Sequence, residues 1–203
     1  MSTNNNRLGK EIKPIWKSPN FEQQKISKLS GDKLQMMIKN NLGDCTALSL
    51  SNRGIEKLED FQGLSTDLRR LDLSNNTITR LHGFHSISGI SMLNVSSNDL
   101  QSDSSLEDLR YLTELRTLNI GNNPKIKHIR SHVVKPLINL QALIANECEF
   151  EKVSFLKFLP HLNTLVLSKN RIHDFLVPEK VGRERLQVLP APERNGCGQP
   201  LQE

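Results

Sequence analysis

The sequence predicts an α/β solenoid: a curved right-handed stack of short repeats, with one parallel sheet on its inner face and 3₁₀ or helical returns on its outer face. Three observations carry that prediction. Six segments share one apolar pattern, a fixed offset after each brings an Asn or Cys in five of the six, and an amphipathic stretch precedes the first. The segments are Cys45-Thr46-Ala47-Leu48-Ser49-Leu50, Leu68-Arg69-Arg70-Leu71-Asp72-Leu73, Ile90-Ser91-Met92-Leu93-Asn94-Val95, Leu115-Arg116-Thr117-Leu118-Asn119-Ile120, Leu140-Gln141-Ala142-Leu143-Ile144-Ala145 and Leu162-Asn163-Thr164-Leu165-Val166-Leu167. Their starts lie 23, 22, 25, 25 and 22 residues apart. A period in this range marks units that cannot bury an apolar face alone and must stack.

The chain has 203 residues, with 27 Lys plus Arg against 22 Asp plus Glu, which gives a net charge of +5. The excess is localised. Residues 1 to 40 hold eight basic residues and three acidic ones, and the remaining chain balances 19 against 19. Residues 1–29 therefore read as a flexible basic arm that steers toward an acidic partner or RNA. Residues 30–43 read as an N-terminal capping helix. Ser30 or Asp32 is the N-cap, Leu34, Met37, Ile38 and Leu42 form the apolar stripe, and Gly43 stops the helix.

Residues 44–176 read as the repeat domain, with about six repeats. In each segment alternate side chains point to opposite faces of a strand, so the Leu positions face the core and the intervening residues face out. Three residues past each segment stand Arg53, Asn76, Asn98, Asn123, Cys148 and Asn170. An Asn amide there both donates to and accepts from backbone groups of the turn, which strand pairing alone leaves unsatisfied. Asn76, Asn98, Asn123, Cys148 and Asn170 thus form a structural ladder, and Arg53 is the exception expected of a terminal repeat.

The returns carry apolar residues at three-residue spacing, as in Ile78, Leu81, Phe84 and Ile87, which suits short 3₁₀ turns. In the longer return after Leu100, Ser104 and Glu107 read as a capping box opening a one-to-two-turn helix. Residues 177–203 contain four of the nine prolines and no periodicity, and read as a disordered tail without a cap. That ending reads as a truncated or spliced end of a longer solenoid.

The stretches Leu71-Asp72-Leu73-Ser74-Asn75-Asn76-Thr77-Ile78-Thr79-Arg80-Leu81 and Leu165-Val166-Leu167-Ser168-Lys169-Asn170-Arg171-Ile172 carry a family resemblance. With their neighbours over residues 45 to 176, they resemble the 22-residue leucine-rich repeat class of the protein phosphatase 1 regulatory subunit. Relatives in that class include a spliceosomal ribonucleoprotein subunit, acidic nuclear phosphoproteins and a dynein light chain. The resemblance implies a leucine-rich repeat solenoid acting as a non-catalytic scaffold or adaptor, with regulation of a phosphatase as one version. A ribonucleoprotein component is the alternative, the solenoid holding a protein and the arm touching RNA.

No catalytic constellation, cofactor motif or metal-ligand spacing appears in the sequence, so no enzyme, cofactor or metal is expected. His128 and His132 share a spacing that zinc accepts, but they flank the apolar Ile129 and Val133 and lack a third ligand. Lys152-Val153-Ser154-Phe155 matches the basic-Val-x-Phe docking motif for protein phosphatase 1, yet the alignment puts Val153 in the core. No apolar run approaches the roughly 20 residues that cross a membrane. The N-terminus has no secretory apolar stretch, and the cysteines at 45, 148 and 197 form no CxxC pair. The expected compartment is the cytoplasm or nucleus, and the expected state a monomer.

Outward strand positions define the candidate partner face: Arg70, Asp72, Met92, Asn94, Asn119, Ile144, Glu147, Val166 and Lys169. Most are polar. Ile144 and Val166 with Ala142 make the one apolar cluster, bordered by Glu147 and Lys169. It reads either as a contact patch or as a surface that a further repeat covers.

Overall fold

The computed structural model describes residues 26–41, 46–61, 67–173 and 187–188. Strands β1 (Lys28–Leu29) and β3 (Lys57–Leu58) pair in parallel as a small sheet. The remaining strands are β2 (Ala47–Ser49), β4 (Arg70–Asp72), β5 (Met92–Asn94), β6 (Thr117–Asn119), β7 (Ala142–Ile144), β8 (Thr164–Val166) and β9 (Gln187–Val188). They form one parallel sheet in sequence order, β2-β4-β5-β6-β7-β8-β9. Equivalent residues of successive repeats pair, so Leu48, Leu71, Leu93, Leu118, Leu143 and Leu165 form one register row. All six are buried. Removing such a Leu side chain from water contributes about 1.5–3 kcal/mol, and each repeat supplies several.

The returns close the core from the other side. They are 3₁₀ turns at Phe84–Ile87, Asp103–Tyr111 and Ser154–Phe158 and the short helix α2 (Ser131–Val134), found after α1 (Gly31–Asn41) at the N-terminal end. Phe84 and Ile87 are buried, and the Phe84 ring meets Phe61 edge-on with centroids 5.9 Å apart.

Three expectations need correction. The return after Leu100 is 3₁₀ over nine residues and starts at Asp103, with Ser102 as its N-cap. The Ser102 amide donates to Ser105 Oγ at 3.3 Å. Ser104 therefore lies inside the turn, and Glu107 reaches the next repeat instead of the cap. The three-residue spacing of Leu106, Leu109 and Leu112, all buried, selects the tighter helix because it stacks them on one side. Second, the boundary placed at residue 29 falls inside packed chain. Ile26 and Leu29 are buried, and the Ile26 amide donates to the Arg53 carbonyl at 2.8 Å. Third, the tail carries β9, whose Gln187 and Val188 pair with Thr164 and Leu165.

Ser30 is the cap of α1, its Oγ accepting the Lys33 amide, while Asp32 stands in the first turn where the helix dipole favours a negative charge. Leu34 is buried on the repeats. The side chains of Met37 and Ile38, together with Leu42, Gly43 and the arm before residue 26, lie outside the described residues.

Candidate functional site

The concave face is built from strand positions that alternate with the core leucines. Two rows run across it in register: Ala47, Arg70, Met92, Thr117, Ala142 and Thr164, and beside it Ser49, Asp72, Asn94, Asn119, Ile144 and Val166. Arg70 and Met92 are neighbours in the first row, and Met92 is 40% exposed.

The second row changes character along its length. Asp72, Asn94 and Asn119 each turn a side-chain oxygen onto the amide two residues on, at Ser74 (2.9 Å), Ser96 (3.1 Å) and Gly121 (3.0 Å). These are Asx turns that end the strands. Three of the polar candidates are thus committed in part to their own backbone, a role that outward direction alone did not indicate. In the next two repeats Ile144 and Val166 occupy that position, paired in register and partly buried. The apolar pair therefore sits where the polar row stops.

Glu147 and Lys169 form an ion pair at the rim of this cluster. Both have φ 55°, and they close a periodic series of left-handed residues: Asn52, Asn75, Ser97, Asn122, Glu147 and Lys169. In the first five the amide donates to the following repeat, as in Asn75 to the Ser96 carbonyl at 3.0 Å and Glu147 to the Ser168 carbonyl at 3.0 Å. Asn tolerates this region better than Glu or Lys.

Immediately after these residues stands the ladder. Asn123, fully buried, donates through Nδ2 to the carbonyls of Val95 (3.1 Å), Ile120 (2.9 Å) and Gly121 (3.3 Å), and its Oδ1 accepts the Leu100 amide at 3.3 Å. Asn76, Asn98 and Asn170 make the same set. Arg53, the exception in the first repeat, is buried, and its amide donates to Asn76 Oδ1. Burial pushes the Cys148 thiol up to about 11, so at neutral pH it is a protonated, unreactive thiol.

The convex side carries side-chain pairs that sequence reasoning missed. His82 faces Asp108 (3.7 Å), His85 faces Asp60 (3.4 Å), His128 faces Asp103 (2.9 Å), and His132 with Arg130 faces Glu107 (2.6 and 2.9 Å). Each bridges one repeat to another. The His132 hydrogen bond, helped by the nearby Arg130 and Arg110 and opposed by desolvation, holds the Glu107 carboxyl below its ordinary range. A signal existed, since the acids and histidines fall about one repeat apart. Val153 and Phe155 are buried, so the Lys152-Val153-Ser154-Phe155 segment is not available to add to a partner's sheet edge. Among the described residues, no group of three or more His, Cys, Asp or Glu gathers as a metal site, and no helix is long and apolar enough to cross a membrane.

The geometry defines a leucine-rich repeat solenoid, and comparison with known proteins agrees. The family described as leucine rich repeat matches residues 46–100. Tsukushi of Gallus gallus is 26% identical over 127 residues, covering 61% of this chain and 34% of its own length. The chain thus spans about a third of that relative. Internalin C2 of Listeria monocytogenes superposes with a TM-score of 0.52 at 24% identity, covering 74% of this chain and 69% of its own. The leucine-rich repeat domain of APL1 gives 0.61 at 21% identity, covering 72% and 38%. These likenesses establish the fold. Leucine-rich repeat proteins generally act in protein–protein interaction, and the specific class of the phosphatase regulator is not among these matches.

Proposed function

We propose that this chain is a non-catalytic protein-interaction scaffold of the cytoplasm or nucleus, which engages its partner through the C-terminal half of the concave face. The observation that carries this reading is the register pair Ile144 and Val166. Apolar side chains replace Asx-turn residues there, so the strand ends give up a local hydrogen bond and present a surface that gains free energy by losing water. The neighbouring Glu147–Lys169 pair supplies a polar rim of the kind that surrounds interface centres.

Phosphatase regulation is the narrower version of this reading, supported by the resemblance of the repeats and independent of the buried Val153 segment. A ribonucleoprotein role is the second reading, favoured by the +5 excess in the first forty residues. Binding that collapses steeply with salt would select it.

The test is comparative affinity purification with mass spectrometry, using the full chain, Ile144→Glu, Val166→Glu and the control Ile138→Glu, at an exposed apolar residue outside the strand rows. A partner held by this face is retained by wild type and the control, and weakened at least tenfold by either concave variant, because a charge enters a desolvated contact. Identical partner recovery by all four chains would move the working surface elsewhere.

A further inference from the structure

Between the return that follows β6 and the return that follows β7, a cavity of about 490 Å³ is lined by Lys127, Arg130, Lys152 and Lys157 with one carboxylate, Glu151. Two of the four cations are already matched. Lys127 reaches Glu151 at 3.6 Å, and Arg130 reaches Glu107 at 2.9 Å. His128, also on the wall, is held by Asp103 at 2.9 Å. Lys152 and Lys157 are exposed and have no carboxylate partner among the described residues. Two positive charges in one cavity therefore lack a carboxylate partner, on a body whose charges balance only as a whole.

The chemistry that matches this is a phosphate monoester. Its charge near neutral pH is about −1.5 to −2, which fits two ammonium groups that lack a carboxylate partner, whereas one carboxylate would leave half of the excess unmatched. The apolar wall argues against a nucleobase. Phe158 is engaged by the ammonium groups of both Lys157 and Lys135, each 5.1 Å from the ring centroid, and this contact competes with base stacking. The site is also a local depression between two returns, where a nucleic-acid strand needs a groove that tracks its backbone.

We propose that this cavity binds a phosphorylated serine or threonine side chain of a protein partner. The inference rests on the interaction reading above but uses side chains of the returns, not the strand positions that carry Ile144 and Val166, so the two can fail separately.

The test follows backbone amide resonances of the ¹⁵N-labelled full chain during titration with the pentapeptide Ala-Ala-phosphoserine-Ala-Ala. Its unphosphorylated form, inorganic phosphate and oligouridylate are titrated in parallel. Saturable shifts confined to residues 127–131 and 152–158, at an affinity at least tenfold above that for the unphosphorylated peptide, are expected. Lys152→Gln with Lys157→Gln lowers that affinity at least tenfold, Lys152→Arg with Lys157→Arg preserves it, and Ile144→Glu leaves it unchanged. Equal response to the unphosphorylated peptide, or equal affinity of the double Gln variant, overturns the site. Tighter binding of free phosphate or of oligouridylate at the same residues overturns the assignment to a phosphorylated protein side chain.

Discussion

Cys148 Sγ donates to the Ile120 carbonyl at 3.4 Å, the same carbonyl that Asn123 Nδ2 holds at 2.9 Å. The thiol reproduces the backward reach of an Asn but offers no counterpart to Oδ1. The amide that an Asn at 148 would accept belongs to Ile126, which instead donates to the Asn123 carbonyl at 3.1 Å. Unequal costs follow. Asn123→Ala leaves four contacts unmade in a dry turn and is expected to lower stability by about 1 to 3 kcal/mol, while Cys148→Ala, losing one weak donor, costs clearly less. Urea denaturation of both variants checks this, and equal losses would remove Asn123 from the ladder's centre.

The raised thiol gives a second expectation. Iodoacetamide at pH 8 labels Cys148 far more slowly in the folded chain than in urea, as read from the Cys148 peptide by mass spectrometry. The folded state holds the proton to about 11 while the unfolded chain releases it near 9.0. Its contribution to stability is therefore complete below about pH 9 and is lost as pH rises toward 11.

Glu107 works in the opposite direction. Its carboxyl is lowered by His132 first and then by the neighbouring arginines, so its contribution is present above the ordinary carboxylate value of 4.5 and is lost as pH falls through the lowered folded value. Thermal melts between pH 7 and 3 should show Glu107→Gln less stable than wild type at neutral pH, with the two curves converging on acidification. A constant gap at every pH would show that the ionised carboxylate is not what matters.

Gly83 tests the backbone. It has φ 83°, and a Cβ there would lie 2.5 Å from the Glu59 carbonyl oxygen and 3.0 Å from the Phe61 nitrogen. Both neighbours are backbone and cannot swing aside. Gly83→Ala is expected to cost at least about 1 kcal/mol, measurable as a lowered Tm. An unchanged Tm would mean that the turn before Phe84 relaxes freely.

The repeat register was legible because the core leucines recur with both residue type and offset intact, and Leu48 through Leu165 pair as their spacing requires. β9 was not, because its positions equivalent to Leu162, Leu165 and Leu167 are Arg185, Val188 and Pro190. Only one of the three is apolar and β-favouring, so the period fades into a proline-rich composition. The direction of the concave side chains followed from strand alternation, but their hydrogen bonds did not. Asp72, Asn94 and Asn119 carry the Asx-turn chemistry in their residue type, yet a period-two reading assigns them only a side. The cavity at Lys152 and Lys157 depends on two returns meeting across about 25 residues, which strand alignment does not address.

The ladder also has a direction. Asn76, Asn98, Asn123, Cys148 and Asn170 each reach back to a carbonyl of the preceding repeat, at Leu50, Leu73, Val95, Ile120 and Ala145. The carbonyls of Leu73, Val95 and Ile120 are each held already by the Asn of their own repeat, so a repeat emerging from the ribosome has one donor on its turn carbonyl and gains the second only when its successor arrives. The segment from Ile26 to Asn41 is made before any repeat and can seal the starting end at once, whereas the growing end is always the incomplete one. At Cys148 the reach comes from a weak donor, so closure of the fourth repeat's turn rests chiefly on its own Asn123 even after its successor has been made.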